Sequence, residues 1–420
     1  MKRLLTLCLA LVLLIPVIPV AASAQGYGEI SFMGWGDTAE QALYQTVLDK
    51  FMEENPGTTV NYLYTPDDYS TKLQTMIAGN SIPDLFWVVD SEMTTYAMSG
   101  ILEDMQPYMD EHPEILENYL PSLKEYGSYE GGLYALPKDW TSGVIYVNLD
   151  MFAAAGLEAP TSDWTLEDFR EAAKKMTVAS DGRTSQYGAA LSVYRLDWMS
   201  MGAAFGAEWF KDGKSNFSDP NMVKTVQYFY DLFVTDKSAP SPAGLSSMGT
   251  AQNQLFETGK VGMFLSGRWE IPNYRTACTF NWDVVEIPQG ENGQRGLPVI
   301  TGALAIGKDS KNKEGAYALL SYLLGYDAQK SVLGGGLSMP AFTNLMNDPE
   351  VVSTPPSTEP FINSANYLGI DSQREALATG KYSKFQSIIH AEMEICYNGE
   401  QTPEEACKNI DEKANAQLFS

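Results

Sequence analysis

Five consecutive residues, Lys138-Asp139-Trp140-Thr141-Ser142, put two charges, two hydroxyls and a large ring side by side. A buried core seldom tolerates such a cluster, because each polar group taken out of water needs a partner. A cleft that holds a sugar needs that combination: a flat ring to stack on, and polar groups to accept hydroxyl protons. Indole and carboxylate recur together elsewhere, as Trp35 with Asp37 and as Trp87 with Asp90. The chemistry on offer is stacking and hydrogen bonding, not bond making. His112 and His390 are the only histidines, far apart, and there is no CxxC or HExxH. A transition-metal site, a cofactor and a catalytic residue are therefore not expected.

The elements that must position these groups can be read on either side of them. Glu29–Met33 is an apolar strand running into the loop of Trp35 and Asp37. A helix over Glu40–Glu54 stops at Asn55-Pro56-Gly57, a strand follows at Thr58–Leu63, and a helix over Tyr69–Ala78 stops at Gly79-Asn80. Pro83–Val89 is a third strand, ending at Asp90. Strand–helix–strand–helix–strand is the pattern of a parallel α/β sheet, whose ligands bind beyond the carboxyl ends of the strands. Trp35, Asp37, Trp87 and Asp90 all fall there.

Downstream, Val144–Val147 suits a strand buried on both faces, and the helix Met151–Ala155 stops at Gly156. Thr165-x-x-Asp168 opens a helix over Leu166–Met176, and Asp219-Pro220 opens another running to about residue 235. Val261–Leu265 and Val299–Ile306 are strands; Lys313–Leu324 is an amphipathic helix. Residues 384–418 form two helices joined at Gly399, the second opened by Thr402-Pro403-Glu404-Glu405.

Composition sets the outer limits. The chain has 420 residues, too many for one small core and suited to two lobes. Acidic residues outnumber basic ones 53 to 28, a field that repels nucleic acid and anionic membranes and favours a neutral ligand. Met1-Lys2-Arg3, the apolar run Leu4–Val20 and Ala22-Ser23-Ala24 read as a signal peptide cleaved after Ala24. Cys8 lies inside the apolar run, which does not suit a lipid-anchored protein. Cys278, Cys396 and Cys407 remain, and a Cys396–Cys407 bridge across the helix hairpin is conceivable.

Five blocks in this order resemble the family 1 extracellular solute-binding proteins of ABC importers, the group that includes maltose-binding proteins. They are FMEENPGTTVNY, IPDLFWVVDSEMTTYAMSGILEDM, LYALPKDWTSGVIYVNLDMFAAAGL, LFETGKVGMFLSGRWE and VITGALAIGKDSKNKEGAYALLSYLL, with the tail YNGEQTPEEA. The resemblance implies an α/β protein with a two-lobed periplasmic-binding-protein fold (type II-like), parallel-rich sheets flanked by helices, and a hinged cleft. After a signal peptide at 1–24, one lobe would comprise 25–137 and 295–342, the other 138–294 and 343–420. The chain would cross near Lys138–Asn148, near Gly290–Val299 and near Pro340–Thr354. A monomeric, exported, periplasmic receptor would capture an oligosaccharide and dock on a permease driven by an ATPase.

Residue by residue, the resemblance implies a stacking role for Trp87 with Asp90 binding hydroxyls, and for Trp269 beside Arg268. It places a polar contact at Trp35 and Asp37, a lobe-two stacking group at Tyr194 or Trp198, and a hinge contact at Asp139 and Trp140. Thr141 stands where maltose binders carry an acid, and Gln386 where they carry a further stacking Trp, which argues against assuming maltose. Trp164 and Trp282 are expected in the core. Two other readings stay open. A secreted glycoside hydrolase would need two carboxyl groups roughly 5–5.5 or 6.5–9.5 Å apart; the same fold could also hold a polyamine or another non-sugar solute.

Overall fold

The computed structural model describes residues 26–420 apart from Asp37, Ser142, Gly335, Asn347, 353–356 and 358. The expected signal peptide and its cleavage point lie outside the described residues.

The chain begins β1 (Gly28–Gly34), α1 (Thr38–Glu54), β2 (Thr58–Tyr64), α2 (Tyr69–Ala78), β3 (Leu85–Val89) and α3 (Asp90–Met98). β1 pairs in parallel with both β2 and β3. Two-residue strands β4 (Leu136–Pro137) and β5 (Asp139–Trp140) lead into β6 (Val144–Asn148). There follow α4 (Leu166–Met176), β7 (Val178–Ser180), β8 (Arg183–Ala190), α5 (Arg195–Phe205), α6 (Pro220–Tyr230), β9 (Val261–Ser266), α7 (Ile271–Ala277) and β10 (Trp282–Glu286). The chain then returns through β11 (Gly302–Ile306) and α8 (Lys313–Leu324), and passes β12 (Met339–Pro340). It ends with α9 (Asp371–Ala378), α10 (Tyr382–Tyr397) and α11 (Pro403–Gln417).

Two five-stranded sheets result, in the orders β2-β1-β3-β11-β4 and β10-β6-β9-β8-β7. Parallel pairing is confined to β1 with its two neighbours and to β8–β9; the other ladders run antiparallel. The reason is the route. β11 enters the first sheet after crossing back from the second, so it meets β3 head to tail. β6 and β9 are buried along their whole length, in accord with their apolar runs. α4 starts with the expected capping box, in which Thr165 and Asp168 each satisfy the other's backbone N–H, and Thr402 and Glu405 do the same for α11.

Between the sheets the chain crosses within 138–143, returns within 287–301, and crosses again after Val352. β5 pairs with β12, and Thr141 bridges Ile300, so the crossings are laced to one another. Val299 is held by the amide side chain of Gln373 rather than by a strand, so β11 begins three residues later than expected. Thr343–Met346 and Pro349–Val352 stay with the first lobe: Lys330, in the helix Tyr326–Leu333, pairs with Asp348 and Glu350 at 3.0 and 3.1 Å. That stretch was expected in the second lobe. The apolar core is likewise not one cluster per lobe, since one continuous cluster joins the first sheet to Tyr146, Phe264 and Tyr274 of the second lobe.

Cys396 and Cys407 are separate, fully buried thiols in the α10–α11 hairpin, without the conceivable bridge. Burial pushes the Cys396 thiol up to about 12.

Candidate functional site

A cleft of about 510 Å³ opens between the two sheets, where β3 ends and the crossings pass. Its first-lobe wall carries Trp35, just after β1, and Asp90, the first residue of α3. Its floor is formed by Lys138, Asp139 and Thr141 from one crossing and Ile300 and Thr301 from another. Its second-lobe wall carries Tyr194 and Arg195 at the start of α5, and Trp269 and Glu270 just after β9.

Two glycines allow the indoles to sit where they do. A Cβ on Gly302 would lie 2.9 Å from the Trp35 ring, so only glycine lets that ring rest on the mouth of β11. A Cβ on Gly267 would collide with the Trp269 ring, although the backbone there, with φ −93°, would accept any residue. Trp269 is fixed from its other edge, its Nε1–H donating to Glu270 at 3.1 Å.

Trp87 does not line the cleft. It is wholly buried, one layer below, and meets Trp35 edge-on at 4.8 Å and Tyr44 at 4.8 Å. The Lys138 ammonium sits 4.5 Å over its face. Both faces of β3 are covered, so a Trp within that strand is a core residue that props Trp35. Trp140 is also buried and serves the hinge, donating from Nε1 to the Pro340 carbonyl at 3.0 Å. Trp198 lies inside the second lobe against Trp209 at 5.0 Å, because α5 turns that face inward. Trp164 is in the core as expected, while Trp282 opens β10 half-buried. Asp37 lies outside the described residues.

Arg268 also turns away from the cleft. It is 1 % exposed and donates to the carbonyls of Ser338 and Val351, both at 2.8 Å. Its backbone N–H donates to the Thr141 hydroxyl at 3.0 Å. Burial without a carboxylate beside it lowers the guanidinium to about 10. Arg268 thus ties the second lobe to the first crossing, at Thr141, and to the first-lobe stretch that carries Ser338 and Val351.

Two of the cleft's carboxylates, Asp90 and Asp139, are paired with cations. Arg195 reaches from the second lobe to Asp90 of the first, 2.6 Å from Nη2 to Oδ1, with both side chains almost fully buried. Burial pushes the Asp90 carboxyl up and the guanidinium pulls it back. Burial works against the Arg195 charge too, yet Asp90 raises its pKa overall, so Arg195 stays charged. Asp90 Oδ2 and Arg195 Nε are buried with no partner. Asp139 accepts from Lys138 at 2.6 Å and from the Ser338 hydroxyl at 2.7 Å. Glu270 accepts from Ser266 at 3.0 Å, and burial raises its pKa. A side pocket of about 210 Å³ shares Tyr194, Asn253, Trp269 and Glu270 with the cleft and adds Asp197, whose carboxyl burial pushes up to about 7.

One indole from each lobe, with carboxylates, hydroxyls and amides between them, can stack on a ring and exchange several hydrogen bonds with it. Among the described residues no group of His, Cys, Asp and Glu could hold a metal ion. Sequence reasoning missed Arg195 and Glu270. Each directly follows an aromatic that was singled out, which is the one signal that could have found them.

The family model described as "Bacterial extracellular solute-binding protein" matches residues 35–330. A putative binding protein of Brucella abortus is 25% identical over 418 residues, covering 96% of each chain. A galactooligosaccharide-binding protein of Bacillus subtilis is 24% identical, covering 74% of this chain and 75% of its own length. Among solved structures, an ABC substrate-binding protein of Listeria monocytogenes in complex with cycloalternan superposes with a TM-score of 0.83 at 25% identity, covering 93% of this chain and 99% of that one.

Proposed function

The chain belongs to the bacterial extracellular solute-binding protein family, and on that premise we propose that it is a non-catalytic receptor for an oligosaccharide. It captures the sugar between its lobes and delivers it to the membrane permease and ATPase of an importer, acting as a monomer. The observation that carries this reading is that two partly exposed indoles, Trp35 from one lobe and Trp269 from the other, line a single cleft together with Asp90, Asp139 and Glu270. Relatives that bind galactooligosaccharide or, in Pyrococcus abyssi, maltotriose support a sugar. Three of the cleft carboxylates are held by a neighbour, Asp90 by Arg195, Asp139 by Lys138 and Glu270 by Ser266, which suits fixed hydrogen-bond acceptors better than an acid and base that must exchange protons.

A thermal-shift screen of the protein from Gln25 onward tests this, using α- and β-linked glucose oligomers, monosaccharides, polyols and polyamines. An oligosaccharide at 100 times its Kd stabilises by about 2.7 kcal/mol, and it should do so without releasing reducing sugar. Stabilisation by polyamines or anions alone would overturn the sugar reading, and turnover would overturn the receptor. We also place export at cleavage after Ala24 without a lipid anchor, although a relative from Streptomyces antibioticus carries the description lipoprotein. Intact mass of the exported protein checks that point.

A further inference from the structure

Asp90 belongs to two cavities. One is the cleft; the other, about 250 Å³, lies between α3, the segment 125–130 and α9. Asp90 is the residue common to both linings. One of its oxygens is committed to Arg195, while Oδ2 is buried without a partner. The Tyr126 hydroxyl, which also lines the second chamber, is likewise buried, with the Arg374 guanidinium and then Asp90 as the charges acting on it. A buried carboxylate oxygen left unpaired is costly, so something polar meets Asp90 Oδ2 in the working protein.

The lining selects what it is. Asp90 accepts hydrogen bonds only, and the Tyr126 hydroxyl both gives and accepts, so the occupant needs donors and acceptors side by side. Leu377 and Ala378 add an apolar wall that suits the CH face of a ring. The carboxylates disfavour an anion. Arg195 is set against Asp90 and Arg374 against Glu125, and the third carboxylate, Glu130, is exposed and accepts from the Tyr129 hydroxyl, which leaves little call for a cation. At the chamber's edge Arg374 and Glu125 form a pair 3.5 Å apart with both side chains more than half exposed, a contact weak enough to part.

We propose that this chamber is a second saccharide subsite, taking one further unit of an oligosaccharide whose first unit lies in the cleft, with the Asp90 carboxylate shared between the two. The inference rests on the receptor reading above. It makes the ligand at least a disaccharide, and it makes Tyr126 and α9 determinants of ligand length.

Calorimetric titrations with glucose, maltose, maltotriose, cellobiose and cellotriose test it, on the wild type and on two variants. Ala378→Phe fills the chamber from the exposed last residue of α9; Tyr126→Phe removes only the hydroxyl. The wild type should bind a trisaccharide of one linkage at least about tenfold tighter than glucose. Ala378→Phe, with an unchanged melting temperature, should lose that advantage and bind glucose as the wild type does. Tyr126→Phe should weaken the trisaccharide by about two- to tenfold and leave glucose alone. The subsite is overturned if folded Ala378→Phe binds the trisaccharide normally, if both sizes weaken equally, or if the wild type gains nothing from length. A wild type that binds no saccharide at all sinks the receptor reading first, and the subsite with it.

Discussion

Asp90 and Arg195 reach each other from opposite lobes, so their pair forms and breaks as the lobes move, not as the chain folds. Removing one partner of a buried pair typically costs about 3–5 kcal/mol, because the other charge is stranded. Here Arg195 escapes that penalty by opening the cleft and returning to water. Asp90→Asn should therefore shift the unliganded protein toward the open form while changing its melting temperature little. Small-angle scattering read beside a thermal melt checks this, and a large loss of stability at unchanged size would show that the pair serves folding instead. Asp197 supplies a second residue-scale expectation. Its native carboxyl, raised from 3.8 to about 7, binds a proton that the unfolded chain has already released near neutral pH. The stability this contributes is full below about pH 4 and is lost as pH rises to about 7, roughly 4 kcal/mol at 1.36 kcal/mol per unit. Melts across that window should fall more steeply for the wild type than for Asp197→Asn. The residue types of the site were legible in the sequence, but their facing was not. Trp87 and Trp35 both follow strand patterns near the cleft, and only the coverage of both faces of β3 separates core from wall.

At the scale of elements, the turn Gly267-Arg268-Trp269-Glu270 does two jobs, aiming an indole into the cleft and clamping the first crossing and the first-lobe stretch of Ser338 and Val351. The two can be separated. Gly267→Ala is compatible with the backbone but collides with the Trp269 ring, so it should weaken oligosaccharide binding while the fold persists. Arg268→Ala removes two charge-assisted bonds to carbonyls, each worth about 1.5–3 kcal/mol, and should lower the urea midpoint by an amount equivalent to about 3 kcal/mol or more. Lost affinity with normal stability in Arg268→Ala would instead make Arg268 a ligand contact. Where punctuation is strong the elements were readable to the residue: α2 ends before Gly79-Asn80, and α4 starts at its capping box. β8 and α5 were not. Arg183–Ala190 lacks clean alternation because its first half is an exposed hairpin arm and only its last residues are buried, and α5 is apolar almost all round because it is buried almost all round.

For the whole molecule the question is what holds the lobes together when no sugar bridges them. Besides the Asp90–Arg195 pair, the Thr95 hydroxyl donates to the Gly380 carbonyl at 2.8 Å, and Arg374 pairs with Glu125 at 3.5 Å near the surface. Against these stands the acidic surplus of the lobes, 53 acidic residues against 26 basic once Lys2 and Arg3 of the signal peptide are set aside, whose mutual repulsion grows as the lobes approach. Salt acts unequally on the two sides. The Debye length falls from about 10 Å at 0.1 M to about 3 Å at 1 M, which screens the long-range repulsion across solvent but barely touches a pair buried at 2.6 Å. Adding salt should therefore close the unliganded protein, and its radius of gyration by small-angle scattering should shrink toward the value at saturating oligosaccharide. Protein already saturated should not change. Expansion on adding salt would mean that screenable surface pairs, with Arg374–Glu125 foremost, hold the closed form, and that the acidic surplus plays no part in setting how far the cleft opens.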